Sequence, residues 1–109
     1  MASLLVVLAH SPGSPAGRRA LSLAESLSRQ GHALTLCCLQ DAALLASTRA
    51  PGDTRGGLDR LLDRGARCVV LDEDLVMRGL RVGEGASAVD YGGLVALLTE
   101  PHDRVIGAL

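Results

Sequence analysis

One segment, CVVLDEDLVMRGL at residues 68–80, indicates the class of fold. Its first four residues, Cys68 to Leu71, form an apolar run of the kind that occurs in a buried strand. Three carboxylates follow, and carboxylates are favoured in the first turn of a helix because they interact well with the helix dipole. The segment therefore predicts a strand at 67–71 that leads into a short helix at 73–78.

Outward from this segment, apolar runs alternate with stretches of helical periodicity. The other strands are predicted at 4–9, 33–39, 86–89 and 104–108. The other helices are predicted from Ser14 to Gly31, at 42–47, from about Leu58 to Gly65, and after Asp90. The polar stretch 48–53 predicts a surface loop. Repeated strand-then-helix order predicts one α/β domain over residues 1–109. We expect a three-layer sandwich, with a mostly parallel sheet of four or five strands and helices on both faces.

The helix ends carry capping signals. Ser14 followed by Pro15 is typical of an N-cap and a first helical position, and Gly31 of the left-handed turn that ends a helix. The spacing of apolar residues predicts the inward faces of two helices. These are Ala20, Leu23, Ala24 and Leu27 on the first helix, and Tyr91, Leu94, Val95 and Leu98 on the last, which Asp90 caps.

Composition narrows the classes of function. The 109 residues carry a formal net charge of −1 and Tyr91 is the single aromatic residue, so a nucleic-acid-binding surface is not expected. No apolar run approaches the roughly 20 residues of a membrane span, and residues 3–9 fit a first strand better than a signal peptide. Three cysteines, an odd number, predict reduced thiols and a cytoplasmic protein. A hydrophobic share of 48% favours self-association.

Candidate site residues follow from the rule that ligands collect at the carboxyl ends of parallel strands. The rule selects His10, Ser11, Gly13 and Ser14 after the first strand, Cys38, Gln40 and Asp41 after the second, and Asp72, Glu73 and Asp74 after the third. The loop at 11–17 offers hydroxyls and amides to an anion at a helix start, although turn formation and capping also explain it and are favoured. The histidines and cysteines lack the spacing of a metal site, and no cofactor is expected.

The cysteines admit two interpretations. Cys37 and Cys38 are adjacent on a strand and should point to opposite faces, while Cys68 lies at the amino end of its strand. Under the favoured interpretation all three are buried small apolar residues that label slowly in the folded state. Under the other, Cys38 is a nucleophile whose pKa is lowered by His10 or by the start of the first helix.

Several segments together resemble the DsrE/DsrF/DsrH (TusB/TusC/TusD) sulfur-relay superfamily, and the DsrH/TusB branch most closely. They are Ser11-Pro12 after the first strand, 36–41 leading into 42–47, the acidic-to-Arg-Gly segment 72–80, and 89–95 with 102–105. The resemblance implies an oligomeric α/β protein that associates with itself or with related sulfur-relay subunits.

The resemblance also implies where sulfur-carrying cysteines would stand. The catalytic branches carry a persulfide-forming cysteine at the end of the third strand, where this chain has Leu71, and the DsrH-like branch has a cysteine on the first helix, where it has Ala24. We therefore expect a non-catalytic or accessory subunit, with enzymatic activity left open. The alternatives are a persulfide-carrying sulfurtransferase that uses Cys38 and a small-molecule or anion binder at the 11–17 loop.

Overall fold

Strands and helices alternate along residues 2–107, the part of the chain that a computed structural model describes. The strands are β1 (Ser3–Leu8), β2 (Ala33–Cys38), β3 (Arg67–Leu71), β4 (Ala86–Val89) and β5 (Arg104–Gly107). The α-helices are α1 (Pro15–Arg29), α2 (Gly52–Asp63), α3 (Asp72–Met77) and α4 (Tyr91–Thr99), and a 3-10 helix, Gln40–Leu44, follows β2. Within this range, none of the helices combines the length and the apolar character that a membrane crossing requires.

All neighbouring strands are parallel and lie in the order β4-β3-β2-β1-β5. The strands therefore end at a common side of the sheet, which we call the carboxyl edge. The predicted α/β fold is confirmed, with five parallel strands in the described residues and helices on both faces.

Two cores of different size lie on the two faces, because successive residues of a strand point to opposite sides. The larger core is covered by α1 and α2 and includes Leu36, Val70 and Leu58. The smaller core is covered by α4, and its buried members are Leu5, Cys37, Val69 and Leu97. Leu75 of α3 and Ala42 and Ala43 of the 3-10 helix also belong to the larger core, so α4 is the one helix of the described residues that packs on the second face.

The strand β5 is joined to the start of β1 by two hydrogen bonds. The Ser3 amide donates to Asp103 Oδ2 over 2.7 Å, and the Asp103 amide donates to the Ser3 carbonyl over 2.8 Å. Leu5 pairs with Val105, so Val105 lies on the face that α4 covers. Val105 is exposed there, at the edge of the sheet.

The predicted caps of α1 are confirmed. The Ser14 hydroxyl accepts a hydrogen bond from the Gly17 amide over 3.0 Å, and Gly31 has a φ of +91° just after the helix end.

The predicted inward position of Leu23 is wrong, because the buried stripe of α1 runs through Leu21 instead and leaves Leu23 exposed. Leu21 shares the face of the buried Ala24, three residues on.

The predicted inward face of α4 is also largely wrong. Leu97 is the buried residue, while Tyr91 is 57%, Val95 58% and Leu98 45% exposed. The segment from Leu94 to Leu98 is apolar without interruption, so its periodicity does not single out one face. The predicted cap is confirmed, since Asp90 Oδ1 accepts a hydrogen bond from the Gly93 amide over 2.7 Å.

Some element boundaries differ from those predicted. The helix expected at 42–47 is the 3-10 helix Gln40–Leu44. The loop expected at 48–53 ends earlier, since α2 begins at Gly52, where the Thr54 hydroxyl and the Arg55 amide both donate to the Pro51 carbonyl. The last residue of the strand predicted at 104–108 lies outside the described residues.

Candidate functional site

The carboxyl edge brings together the chain segments that the sequence selected. Because β1, β2 and β3 are parallel neighbours, the segments that follow them, 9–14, 39–41 and 72–78, leave the sheet on the same side. The first enters α1, the second enters the 3-10 helix, and the third forms α3.

An ion-pair network joins the segments after β2 and β3. Arg78 Nη2 lies 3.1 Å from Asp41 Oδ1, and Arg78 Nη1 lies 3.5 Å from Asp74 Oδ1. Arg78 Nη1 also donates to the Asp74 carbonyl over 3.2 Å. The candidate residue Asp41 is therefore engaged by an arginine of α3. The sequence signal for part of this network was the four-residue spacing of Asp74 and Arg78 on a short helix.

Asp74 also holds the backbone of the segment after β2. Its Oδ2 accepts a hydrogen bond of 2.6 Å from the Gln40 amide. Gln40 has a φ of +52°, a left-handed conformation that is uncommon for residues other than glycine. The Asp74 carboxylate thus compensates a strained backbone, which gives the acidic cluster at 72–74 a structural role.

The loop at 11–17 uses its polar groups internally. Besides capping α1, the Ser14 hydroxyl donates to the Ser11 carbonyl over 2.7 Å. The Gly13 carbonyl accepts from Arg18 Nε over 3.2 Å. A Cβ at Gly17 would lie 1.9 Å from the Ser11 carbonyl oxygen, so only glycine fits there. Capping therefore accounts for the hydroxyl of Ser14. The predicted anion site stays a prediction, and its residues are His10, Ser11, Gly13, Ser14 and Asp41.

His10 lines a small depression at the start of this loop. The other residues around it are Leu8, Ala9, Pro12, Gly17, Ala20, Ala42 and Leu45. Its volume of about 10 Å³ accommodates about one water molecule, whereas small-molecule sites commonly measure about 300 Å³ or more. Of the candidate residues, His10 is the one that lines this depression, together with Gly17 and Ala20 of α1.

The expected burial of the three cysteines is confirmed. Cys37 lies in the smaller core and Cys38 in the larger, as their adjacency on β2 predicted. Cys68 lies in the same core as Cys38, and their Sγ atoms are 4.0 Å apart. Sequence reasoning missed this pair, because it depends on β2 and β3 being neighbours in a particular register.

The surroundings change the acidity of all three thiols. Burial raises the pKa of Cys37 to about 11. The hydrogen bond with Cys68, together with burial, holds the pKa of Cys38 well above its ordinary value. The same hydrogen bond lowers the pKa of Cys68 against the opposing effect of burial, and the positive charge of Arg55 lowers it further. Either thiol can be the donor of this hydrogen bond.

The two positions that the resemblance associates with sulfur carriage are both aliphatic and buried. Leu71 ends β3, immediately before α3, and is 5% exposed. Ala24 lies on the buried stripe of α1. In residues 2–107, no group of three or more His, Cys, Asp or Glu side chains is arranged to hold a metal ion.

Two comparisons with known proteins agree with this architecture. The profile of a family described as DsrH like protein matches residues 13–105. The crystal structure of the YchN protein from E. coli superimposes with a TM-score of 0.83 at 21% identity, over 98% of this chain and 99% of that one. At this identity the structural likeness shows the fold. No curated protein sequence matches the chain.

Proposed function

We infer that this chain, which belongs to the DsrH-like family and is thereby related to sulfur relay, serves as an accessory subunit and carries no sulfur itself. One observation carries the proposal. Leu71 occupies the strand end at which the resemblance places the sulfur-carrying cysteine, and a hydrocarbon side chain forms no persulfide. The subunit would then contribute structure and contacts to an assembly whose chemistry lies on other chains.

The state of the remaining thiols supports the same proposal. A persulfide forms when a thiolate attacks a sulfur donor, and the attack requires both ionisation and access. Cys37 and Cys38 are buried, and the pKa of each is raised. Cys68 is also buried, at the amino end of β3 and away from the carboxyl edge.

An apolar surface on the α4 side supports a role in assembly. We define the α4 surface as the exposed side chains Tyr91, Val95, Leu98 and Val105. None of the residues of α4 itself, Tyr91–Thr99, is charged, and the helix covers the smaller core alone. Exposed apolar side chains that share a face are typical of interaction sites. We propose that the α4 surface binds a second copy of this chain, and related subunits are the alternative occupant.

The accessory role is tested by whole-protein mass spectrometry after incubation with a low-molecular-weight persulfide. We expect the folded protein to keep its mass, because no exposed thiolate is available. The matched control is the same protein unfolded in urea, which should gain adducts of about 32 Da per added sulfur. An adduct on the folded protein would contradict the accessory role.

The same experiment separates the competing enzymatic proposal. Cys38 has a thiol neighbour, Cys68, at 4.0 Å, which could attack a persulfide on Cys38, form a disulfide with it and expel the outer sulfur as sulfide. If the folded protein gains one sulfur and peptide mapping places it on Cys38, the sulfurtransferase proposal replaces the accessory one. A gain that persists in the Cys38→Ala variant would exclude Cys38 as the carrier.

A further inference from the structure

Three arginines lie together where α1 and α2 end. Arg29 is the last residue of α1, Arg60 lies in the last turn of α2, and Arg64 follows that helix as its C-cap. They line one small depression between the two helices, together with Glu25, Ser28 and Leu61. Because β2 and β3 begin just after these helices, the depression lies at the amino end of the strands, away from the carboxyl edge.

Two of these arginines have no protein partner. Within residues 2–107, the side chains of Arg29 and Arg64 form no ion pair. Arg60 Nε donates to Glu25 Oε1 over 2.7 Å, a bond that does not engage the two terminal nitrogens of the guanidinium. Arg60 and Arg64 are four residues apart, a spacing at which like charges repel each other. An anion in the depression would relieve that repulsion.

The Ser28 hydroxyl is an independent observation. Ser28 is 8% exposed, lines the depression, and forms no side-chain hydrogen bond with the part of the chain that the structure describes. Buried polar groups are normally paired, so an unpaired hydroxyl at the wall of a depression is a donor available to a bound molecule. Ser28 and Arg29 lie three and four residues after Glu25 and therefore share one face of α1.

An open groove of about 360 Å³ adjoins the depression and shares Ser28 and Arg64 with it. The Ala2 amide donates to Nδ1 of His32 over 3.1 Å, so the proton of the neutral ring is on Nε2, which is a further donor. The depression itself, of about 30 Å³, accommodates a few atoms of the size of a water molecule. The other residues that line the groove are Gly31, His32, Ala33 and Gly65.

We propose that the depression binds a phosphate group, either as inorganic phosphate or as part of a small phosphate monoester whose remainder lies in the groove. Guanidinium groups donate to phosphate oxygens in pairs and keep their charge at physiological pH. The groove has the size of a small-molecule site, for which about 300 Å³ or more is usual. A nucleic acid fits less well, because the one aromatic residue of the chain, Tyr91, lies on α4, which covers the other face of the sheet.

The local charge favours an anion although two features oppose it. Glu25 contributes one negative charge, and the ends of α1 and α2 contribute about half of one each. The three arginines contribute three positive charges, so about one positive charge remains. The arginines are exposed, and salt screens such interactions, so binding should be measured at low ionic strength.

The test is isothermal titration calorimetry of the full chain with inorganic phosphate. We expect one saturable site per chain. Arg29→Gln and Arg64→Gln should each weaken binding by about 5-fold or more, since a charge-assisted hydrogen bond is lost. Arg19→Gln is the matched control, because Arg19 is an exposed arginine of α1 that lines neither the depression nor the groove. It should bind as the original chain does.

The Ser28→Ala variant separates binding from folding. Because the hydroxyl has no partner in residues 2–107, its removal should leave the midpoint of urea unfolding unchanged or raised. Phosphate binding should nevertheless weaken by about 5-fold or more, because a donor to a charged group is lost. Ser26→Ala, two residues earlier on α1 and outside the depression, is its control and should change neither quantity.

Ribose 5-phosphate distinguishes the two sources of the phosphate group. Tighter binding than inorganic phosphate, with the gain lost in His32→Ala, would show a site for a monoester. Equal binding of the two compounds would show a site for inorganic phosphate.

Three results of the calorimetry would overturn the proposal: no saturable site up to about 10 mM phosphate, equal weakening by Arg19→Gln, or unchanged binding by Ser28→Ala. Binding of a single-stranded RNA without binding of either phosphate compound would also overturn it. No cysteine and no residue of the α4 surface takes part, so the result does not depend on the accessory role.

Discussion

Asp74 and Gln40 are linked by a hydrogen bond of 2.6 Å that crosses from α3 to the segment after β2. The donor is the amide of a residue with a φ of +52°, and the other oxygen of the carboxylate, Asp74 Oδ1, lies 3.5 Å from Arg78 Nη1. One carboxylate therefore stabilises a left-handed backbone and orients the arginine that reaches Asp41. The carboxyl edge between β2 and β3 depends on this arrangement.

We expect Asp74→Ala to destabilise the protein by about 1–3 kcal/mol, because the Gln40 amide loses its acceptor and Arg78 one of its two carboxylates. Urea unfolding followed by circular dichroism measures the change. Asp72→Ala is the control, since the Asp72 side chain is exposed and also lies in the first turn of α3. Equal losses in the two variants would show that helix-dipole effects, and not the bond to Gln40, explain the change.

The raised pKa of Cys37 predicts a loss of stability at alkaline pH. The pKa rises from an ordinary 9.0 to about 11 in the folded protein, so between these values the unfolded chain loses a proton that the folded chain retains. The free energy of unfolding should therefore fall as the pH rises from 9 towards 11.

The measurement is urea unfolding at a series of pH values. The chain contains no lysine, so few other groups titrate in this window. The free energy of unfolding of Cys37→Ala should fall less steeply with pH than that of the original chain. The fall that remains is assigned to Cys38, whose pKa is also raised. Identical slopes in the two proteins would contradict the prediction.

The α4 surface predicts that Val95→Asp shifts the protein towards the monomer, because a carboxylate would be buried in an apolar contact. Light scattering across a range of protein concentrations measures the mass. Leu23→Asp is the matched control, since Leu23 is a similarly exposed apolar residue on α1, the opposite layer. If the original chain is already monomeric at micromolar concentration, the assembly proposal fails.

The loop before α1 predicts that Gly17→Ala costs about 1–3 kcal/mol of stability, since the added methyl group would collide with the Ser11 carbonyl. Gly13→Ala, four residues earlier, should cost much less, because no atom lies within 4 Å of its new Cβ. Thermal unfolding of the two variants compares them directly. A stable Gly17→Ala protein would show that the loop can adopt another conformation.

The sequence predictions were correct where the interacting residues are close together in the chain. The caps at Ser14 and Asp90 involve residues three positions apart, and both were predicted correctly. The face of α4 was not, because consecutive apolar residues from Leu94 to Leu98 satisfy several helical registers.

The candidate site was harder to predict because its contacts are distant in sequence. Arg78 and Asp41 are 37 residues apart, and Cys38 and Cys68 are 30 apart. Both contacts depend on β2 and β3 being neighbours in a particular register. The pattern of one strand specifies its own two faces, but not which residue of another strand lies beside it.

The position of β5 has a consequence for aggregation. β1 is the apolar sequence SLLVVL, and β5 covers one of its two sides through a pairing between residues about 100 positions apart in the chain. If β5 detaches, β1 becomes an unprotected edge strand whose free amides and carbonyls can pair with another molecule. Each outer strand of the intact sheet, β4 and β5, has only four residues, and such short edges are poor templates for pairing. Loosening of the Ser3–Asp103 contact would therefore favour chain-to-chain association through β1 before the rest of the domain unfolds.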